Sequence, residues 1–174
     1  CIRDSPKGLL AAALSNMGER FGYYIMNAVL TLFICSKFGL SDSTATIIYS
    51  CFYFGIYIMA LPGGIIADRL QNFKGTIIAG LLTMVLGYII LSIPAGYGAM
   101  DISMTTVLVI TCIALLIIAF GNGLFKGNLQ AIVGQMYDNF EAEAAKKGPE
   151  ALEKAKSKRD PGFQIFYMFI NVGG

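Results

Sequence analysis

Polar and apolar positions change along this chain on the scale of a bilayer crossing. Apolar and small residues run from about Leu9 to Ile34, Thr44 to Ala67, Gly75 to Ile93 and Met104 to Tyr137, and a further run begins near Gly162. A hydrocarbon core about 30 Å thick takes roughly 20 helical residues, so the first four runs each predict a spanning helix. Short polar connections separate them. Ser41 or Asp42 is placed to cap the second helix. Asp68, Arg69 and Lys74 frame a turn short enough to make the second and third helices antiparallel neighbours, and the third run closes at Pro94-Ala95-Gly96-Tyr97-Gly98 with Asp101 beyond it. Residues 1–137 thus read as helices one to four, residues 138–161 as a charged and partly helical loop, and residues 162–174 as the start of a fifth helix. In the loop, Ala142, Ala144, Ala145, Ala151 and Ala155 favour helix and Gly148-Pro149 breaks it.

Two places break the apolar pattern inside a span. The first is Asn16-Met17-Gly18-Glu19-Arg20-Phe21-Gly22-Tyr23-Tyr24-Ile25-Met26-Asn27, where Asn16, Arg20, Tyr23, Tyr24 and Asn27 recur at helical spacing and share a face. A charge at the bilayer centre costs at least roughly 2.5–3.5 kcal/mol, so Glu19 and Arg20 should meet a protein interior or a watery cavity. They form either a structural ion pair or part of a transport pathway. The second break is Lys126, set among Gly121, Gly123, Gly127 and Gly134. The Gly-x-x-x-Gly pair at 123 and 127 would let another backbone come close. A lysine near a helix end can snorkel, but four further residues, Ala131-Ile132-Val133-Gly134, lengthen that route to the wet loop.

Composition narrows the class. Hydrophobic residues make up 56% of 174 and charged ones 14%, with no histidine and no tryptophan, and mean hydropathy is +0.65. This describes an all-α, polytopic membrane protein. Cys1, Cys35, Cys51 and Cys112 have no metal-ligand spacing and read as packing residues. No nucleophile stands at a useful spacing from a base, so no enzyme, catalytic residue, metal or cofactor is implied, and no nucleic-acid partner either. A channel would want a ring of equivalent groups.

Orientation follows from the loops. With the N-terminus in the cytoplasm, that side carries Arg3, Lys7, Arg69, Lys74, Lys146, Lys147, Lys154, Lys156, Lys158 and Arg159, and the other side keeps Lys37. At about 1.5 Å per residue, Arg20 lies about 20 Å above Lys7, Tyr57 about 16 Å above Asp68, Lys126 about 18 Å above Asp138 and Asn171 about 16 Å above Asp160. Four polar residues on four helices are expected at one level, near the midplane where secondary transporters bind substrate.

These residues resemble a known family. Glu19-Arg20-Phe21-Gly22-Tyr23-Tyr24 is similar to the end of an E-x-x-E-R-F-x-Y-Y motif; Gly63-Gly64-Ile65-Ile66-Ala67-Asp68-Arg69 with Thr76-Ile77 is similar to a helix two to three motif; Gly121-Asn122-Gly123-Leu124-Phe125-Lys126 and Phe163-Gln164-Ile165-Phe166-Tyr167-Met168-Phe169-Ile170-Asn171-Val172-Gly173 are similar to helix four and five signatures. Together they resemble the N-terminal half of proton-coupled oligopeptide transporters, a branch of the major facilitator superfamily. The resemblance implies a major-facilitator-type helical bundle, here incomplete with about five helices, that works by alternating access with a C-terminal bundle in the same or another chain. It also implies small peptides and protons as the transported species and membrane lipid as the surroundings. Carried over by position, Arg20 and Lys126 would meet a peptide carboxylate, Tyr24 and Tyr57 would line the cavity, Asn171 would bond the peptide backbone, and Glu19 would pair with Arg20 or Lys126 and take part in proton coupling. Gly64, Asp68 and Arg69 would form the gating motif, the charges locking the cytoplasmic side through interhelix pairs.

The sequence also departs from the family pattern. Asn16 occupies the first glutamate of the motif, Asn27 stands at a substrate-binding position where arginine is common, Gly127 replaces a proline, and Asn72 replaces a glycine in the short turn. Asn16 and Asn27 keep open a carrier of another small anion or amino-acid conjugate, with altered or absent proton coupling. A different class, a non-transporting membrane module that docks a partner through residues 138–160, is separable by deleting that stretch. The start at a cysteine and the end in an apolar run suggest one part of a longer protein.

Overall fold

The computed structural model describes Pro6, residues 8–96 and residues 103–174, with the side chains of residues 94–96 excepted. The expectations for Cys1, Arg3, Asp4, Lys7, Tyr97, Gly98 and Asp101 fall outside the described residues. Among the described residues six helices follow in order: α1 (Leu9–Phe38), α2 (Asp42–Leu70), α3 (Phe73–Gly96), α4 (Met104–Ala145), α5 (Pro149–Lys156) and α6 (Arg159–Gly173). α1 to α4 are long and apolar enough to cross a membrane, and with the helical repertoire this is a multi-pass integral membrane protein of the all-α class. Large apolar side chains such as Leu32, Phe54, Leu61, Leu82 and Leu116 are exposed on these helices, as befits surfaces whose solvent is lipid.

Local chemistry sets the helix ends. Ser41 caps α2, its hydroxyl accepting from the Thr44 N–H at 3.3 Å. Gln71 closes α2 in a left-handed conformation, φ 50°, and its amide donates to the Asp68 carbonyl at 2.6 Å. Asn72 then caps α3 by accepting from the Gly75 N–H at 3.0 Å. A residue that reads as a departure in the motif therefore has a structural task. α4 extends to Ala145, two turns beyond the expected end at Tyr137. Alanines at 142, 144 and 145 carry it through the onset of charge, and it stops before Gly148, whose φ is 122°.

The chain divides into two compact units. One comprises Cys1–Asn27 and Leu129–Gly174, the other Ala28–Asn128. In the second unit, α2 and α3 pack on the first part of α4 around Phe52, Ile56, Met84, Ile118 and Phe125. Here the backbones approach closely: a Cβ on Gly63 would strike the Gly123 carbonyl, and one on Gly123 would strike the Met59 carbonyl. The close contact is therefore made by Gly123, whereas Gly127 and Gly134 face open space, which corrects the expected 123/127 pair. Helical geometry turns residue 127 about 40° from residue 123, enough to leave a narrow contact. Asn128 fastens the same seam by donating to the Gly63 carbonyl at 3.2 Å and the Leu124 carbonyl at 2.8 Å.

In the first unit, the buried side of α1 carries Leu9, Ala13, Asn16, Arg20 and Tyr23, and the second part of α4 contributes Val133 and Tyr137. Tyr137 stacks on Phe163, ring centroids 5.9 Å apart. Arg159, at the start of α6, donates to Asp138 at 2.8 Å and to Glu141 at 3.3 Å. The hydrogen bond with Asp138 raises the guanidinium above its ordinary range, burial opposes this, and Glu141 adds to the rise.

Candidate functional site

The polar strip of α1 lies on its buried side. Adjacent helical residues point about 100° apart, so Glu19 and Arg20 meet only because both side chains are long enough to fold toward each other. Arg20 Nε donates to Glu19 Oε2 at 2.6 Å and Nη2 to Oε1 at 2.9 Å. This is a bidentate fork, the strongest geometry available to the two groups. The side chains are 10% and 4% exposed respectively. The guanidinium also lies 5.1 Å from the centroid of the Tyr23 ring, which adds a cation–π contact to the same cation.

The expected five-residue face is split by the structure. Asn16, Arg20 and Tyr23 are buried, Asn27 is half-buried, and Tyr24 is exposed. The five positions spread over about 100° around the helix, and the boundary of the packing face passes through them, leaving Tyr24 outside. Tyr24 stays in contact through its ring, edge-on to Tyr23 at 5.5 Å. The side-chain oxygen of Asn27 is buried without a hydrogen-bond partner among the described residues. Asn171 is exposed on α6, two residues from the point where Gly173 packs against the Met17 backbone of α1.

A second cluster lies within the other unit. Lys126 is half-buried, and its ammonium sits 4.5 Å from the centroid of the Tyr57 ring on α2. Helical side chains lean toward the N-terminus, so the lysine is directed back along the span, away from the Asp138 end. Tyr57 belongs to a row. Tyr49 stacks on Tyr53 at 6.2 Å, Tyr53 meets Tyr57 at 5.1 Å, and the Tyr53 and Tyr57 hydroxyls are 3.1 Å apart. The Tyr49-Tyr53-Tyr57 spacing of four was present in the sequence, yet Tyr53 was not singled out there. Asn128 was also missed, because an asparagine that bonds a neighbouring backbone carries no local signature.

The helix two to three motif divides differently from expectation. Gly63 makes the close approach to α4, while a Cβ on Gly64 would meet nothing within 4 Å; one residue of rotation turns Gly64 off the contact. Asp68 and Arg69 are exposed.

Each unit thus holds a cation inside apolar helices, and the second supplies aromatic and hydroxyl surface beside its own. The cluster of Lys126, Tyr57 and Tyr53 within the second unit can attract an anionic group and offer it hydrogen bonds in a restricted dielectric. Comparison with known proteins places this in context. Residues 74–174 match the model of the POT family. The chain is 32% identical to the uncharacterized transporter YclF of Bacillus subtilis and 31% identical to the di-/tripeptide transporter of Lactococcus lactis subsp. lactis, in both cases over 97% of this chain and 30% of the relative. It superposes on a crystal structure of the peptide transporter POT in complex with sulfate with a TM-score of 0.74 and 32% identity, covering 97% of this chain and 30% of that one. The chain thus spans about 30% of the length of the curated relatives it matches.

Proposed function

Since the chain belongs to the POT family, we propose that it supplies the first helices of a secondary active transporter that moves di- and tripeptides across the cytoplasmic membrane in symport with protons. The N-terminus faces the cytoplasm in this reading, and a second helical bundle completes the alternating-access cavity. The observation that carries it is Lys126, a cation deep in an apolar span and held on the Tyr57 ring at 4.5 Å. A cation on an aromatic face, inside a span, is the chemistry that would draw a peptide carboxylate. A relative named a di-/tripeptide transporter supports this substrate class.

The remaining residues take roles that follow from their chemistry. Tyr57, with Tyr53 beside it, lines the site and orients the carboxylate. Arg20 is the second cation, and Glu19 holds it in reserve. A proton arriving on Glu19 removes the charge that makes the bidentate pair strong, which frees the guanidinium for substrate and couples the two events. Tyr24 and Asn27 contribute cavity surface, and Asn171 bonds the peptide backbone. Gly64, Asp68 and Arg69 serve the cytoplasmic gate, where exposed charges can reach a partner bundle. Reading backbone and termini leaves side-chain preference broad.

A second reading keeps the architecture and changes the cargo. Asn16 is buried beside the Glu19–Arg20 pair in sequence and carries no charge, so Glu19 is the one carboxylate of the strip. A carrier of another small anion or amino-acid conjugate, without strict proton coupling, would suit that composition. Uptake of a labelled dipeptide into proteoliposomes by the full-length protein separates the two. The peptide symporter predicts accumulation that requires an inward proton gradient and yields to unlabelled peptides. Uptake indifferent to both would contradict it.

A further inference from the structure

The end of α4 and the short helix α5 enclose a groove that none of the transport roles uses. It is lined by Phe140, Glu143, Lys147, Lys154, Ala155 and Lys158, with a volume of about 180 Å³. Three cations thus face one carboxylate. The loop as a whole carries acids and bases in similar number. Arg159 takes up Asp138 and Glu141, and Lys147, Lys154 and Lys158 line the groove.

Depth matters as much as charge. Polarity begins at Asp138, and at about 1.5 Å per residue Phe140 to the end of α4 at Ala145 lie roughly 3–11 Å farther along the helix, with Lys147 in the turn just beyond. The headgroup layer on each side of a bilayer is about 5–8 Å thick, so the groove opens at and just beyond it. Phe140 is placed to meet the acyl boundary. The volume is below the roughly 300–1,000 Å³ of a pocket for a drug-sized molecule, and suits a headgroup whose chains stay in the bilayer.

We propose that this groove is a binding site for the phosphate headgroup of an anionic phospholipid. Small alanines form its floor, Ala155 being fully buried, and this lets the phosphate approach the lysines. Lysine clusters at the membrane end of a spanning helix attract anionic headgroups through the same charge and depth. Glu143 sets an upper bound on affinity, because it repels what the lysines attract.

The test uses the full-length protein and needs no uptake measurement, so it stands apart from the substrate assignment. Native mass spectrometry counts lipid retained after reconstitution with phosphatidylglycerol or with phosphatidylcholine. Wild type is expected to retain phosphatidylglycerol selectively. Lys147→Gln, Lys154→Gln and Lys158→Gln together should weaken retention by about fivefold per lysine and on the order of a hundredfold in all. The triple arginine variant should preserve it, and Glu143→Gln should increase it. Equal retention by wild type and the glutamine variant, with unchanged thermal unfolding, would overturn the proposal. So would full displacement of the lipid by millimolar inorganic phosphate, which would mark a site for soluble anions.

Discussion

Two regions of this protein solve the same problem in opposite ways. In the first unit, Arg20 is neutralised within its own helix by the adjacent Glu19, through two short hydrogen bonds on side chains 10% and 4% exposed. In the second, Lys126 is held across two helices by the uncharged face of Tyr57 at 4.5 Å and stays half-exposed. The pair is a bidentate contact within one helix, whereas the ring contact joins two helices. A buried pair is costly to break and gives little net stability. A cation on an aromatic face is weakly held, by about 0.5–2 kcal/mol, and can leave for a better partner. The comparison teaches that one cation is fixed by a fork on its own helix and the other is seated on an aromatic face of its neighbour.

The comparison can be broken most severely at the pair. Arg20→Met removes the bidentate partner of the buried Glu19 carboxylate and is expected to destabilise the full-length protein by about 3–5 kcal/mol, as seen in thermal unfolding. Adding Glu19→Gln should restore most of that loss, since both ionic groups are then gone. If the double variant is no more stable than the single one, the two residues are not the coupled unit described. A smaller effect is expected at the ring. Tyr57→Ala should raise the KM for peptide by roughly 2- to 30-fold, whereas Tyr57→Phe, which keeps the aromatic face, should stay close to wild type. Equal loss in both variants would shift the importance from the ring to the hydroxyl that meets Tyr53.

Much of this was legible before any coordinates. Spanning helices announce themselves because lipid demands about 20 apolar residues with every backbone group satisfied internally. Counting depth from Asp68 and Asp138 put Tyr57 and Lys126 within about 2 Å of one level, and they do meet. Azimuth was harder to read. Tyr24 and Gly64 lie one residue from the positions that pack, and a 100° step decides between contact and exposure. Which glycine of a cluster meets a partner backbone depends on the neighbouring helix, so Gly123 could not be told from Gly127. The length of α4 was obscured by charge, which ends an apolar run without ending a helix. Asn72 shows the converse: read as a departure from a motif, it is the cap on which α3 begins.

The most direct measurement of the central claim is peptide uptake by the full-length protein carrying Lys126→Ala, reconstituted under an inward proton gradient. Truncating a charged partner of a desolvated anion costs about 2–5 kcal/mol, or roughly 30- to several-thousand-fold in affinity. Gradient-driven accumulation should therefore fall to the level of empty vesicles while the protein stays folded. Accumulation at the wild-type level in that variant would contradict the account.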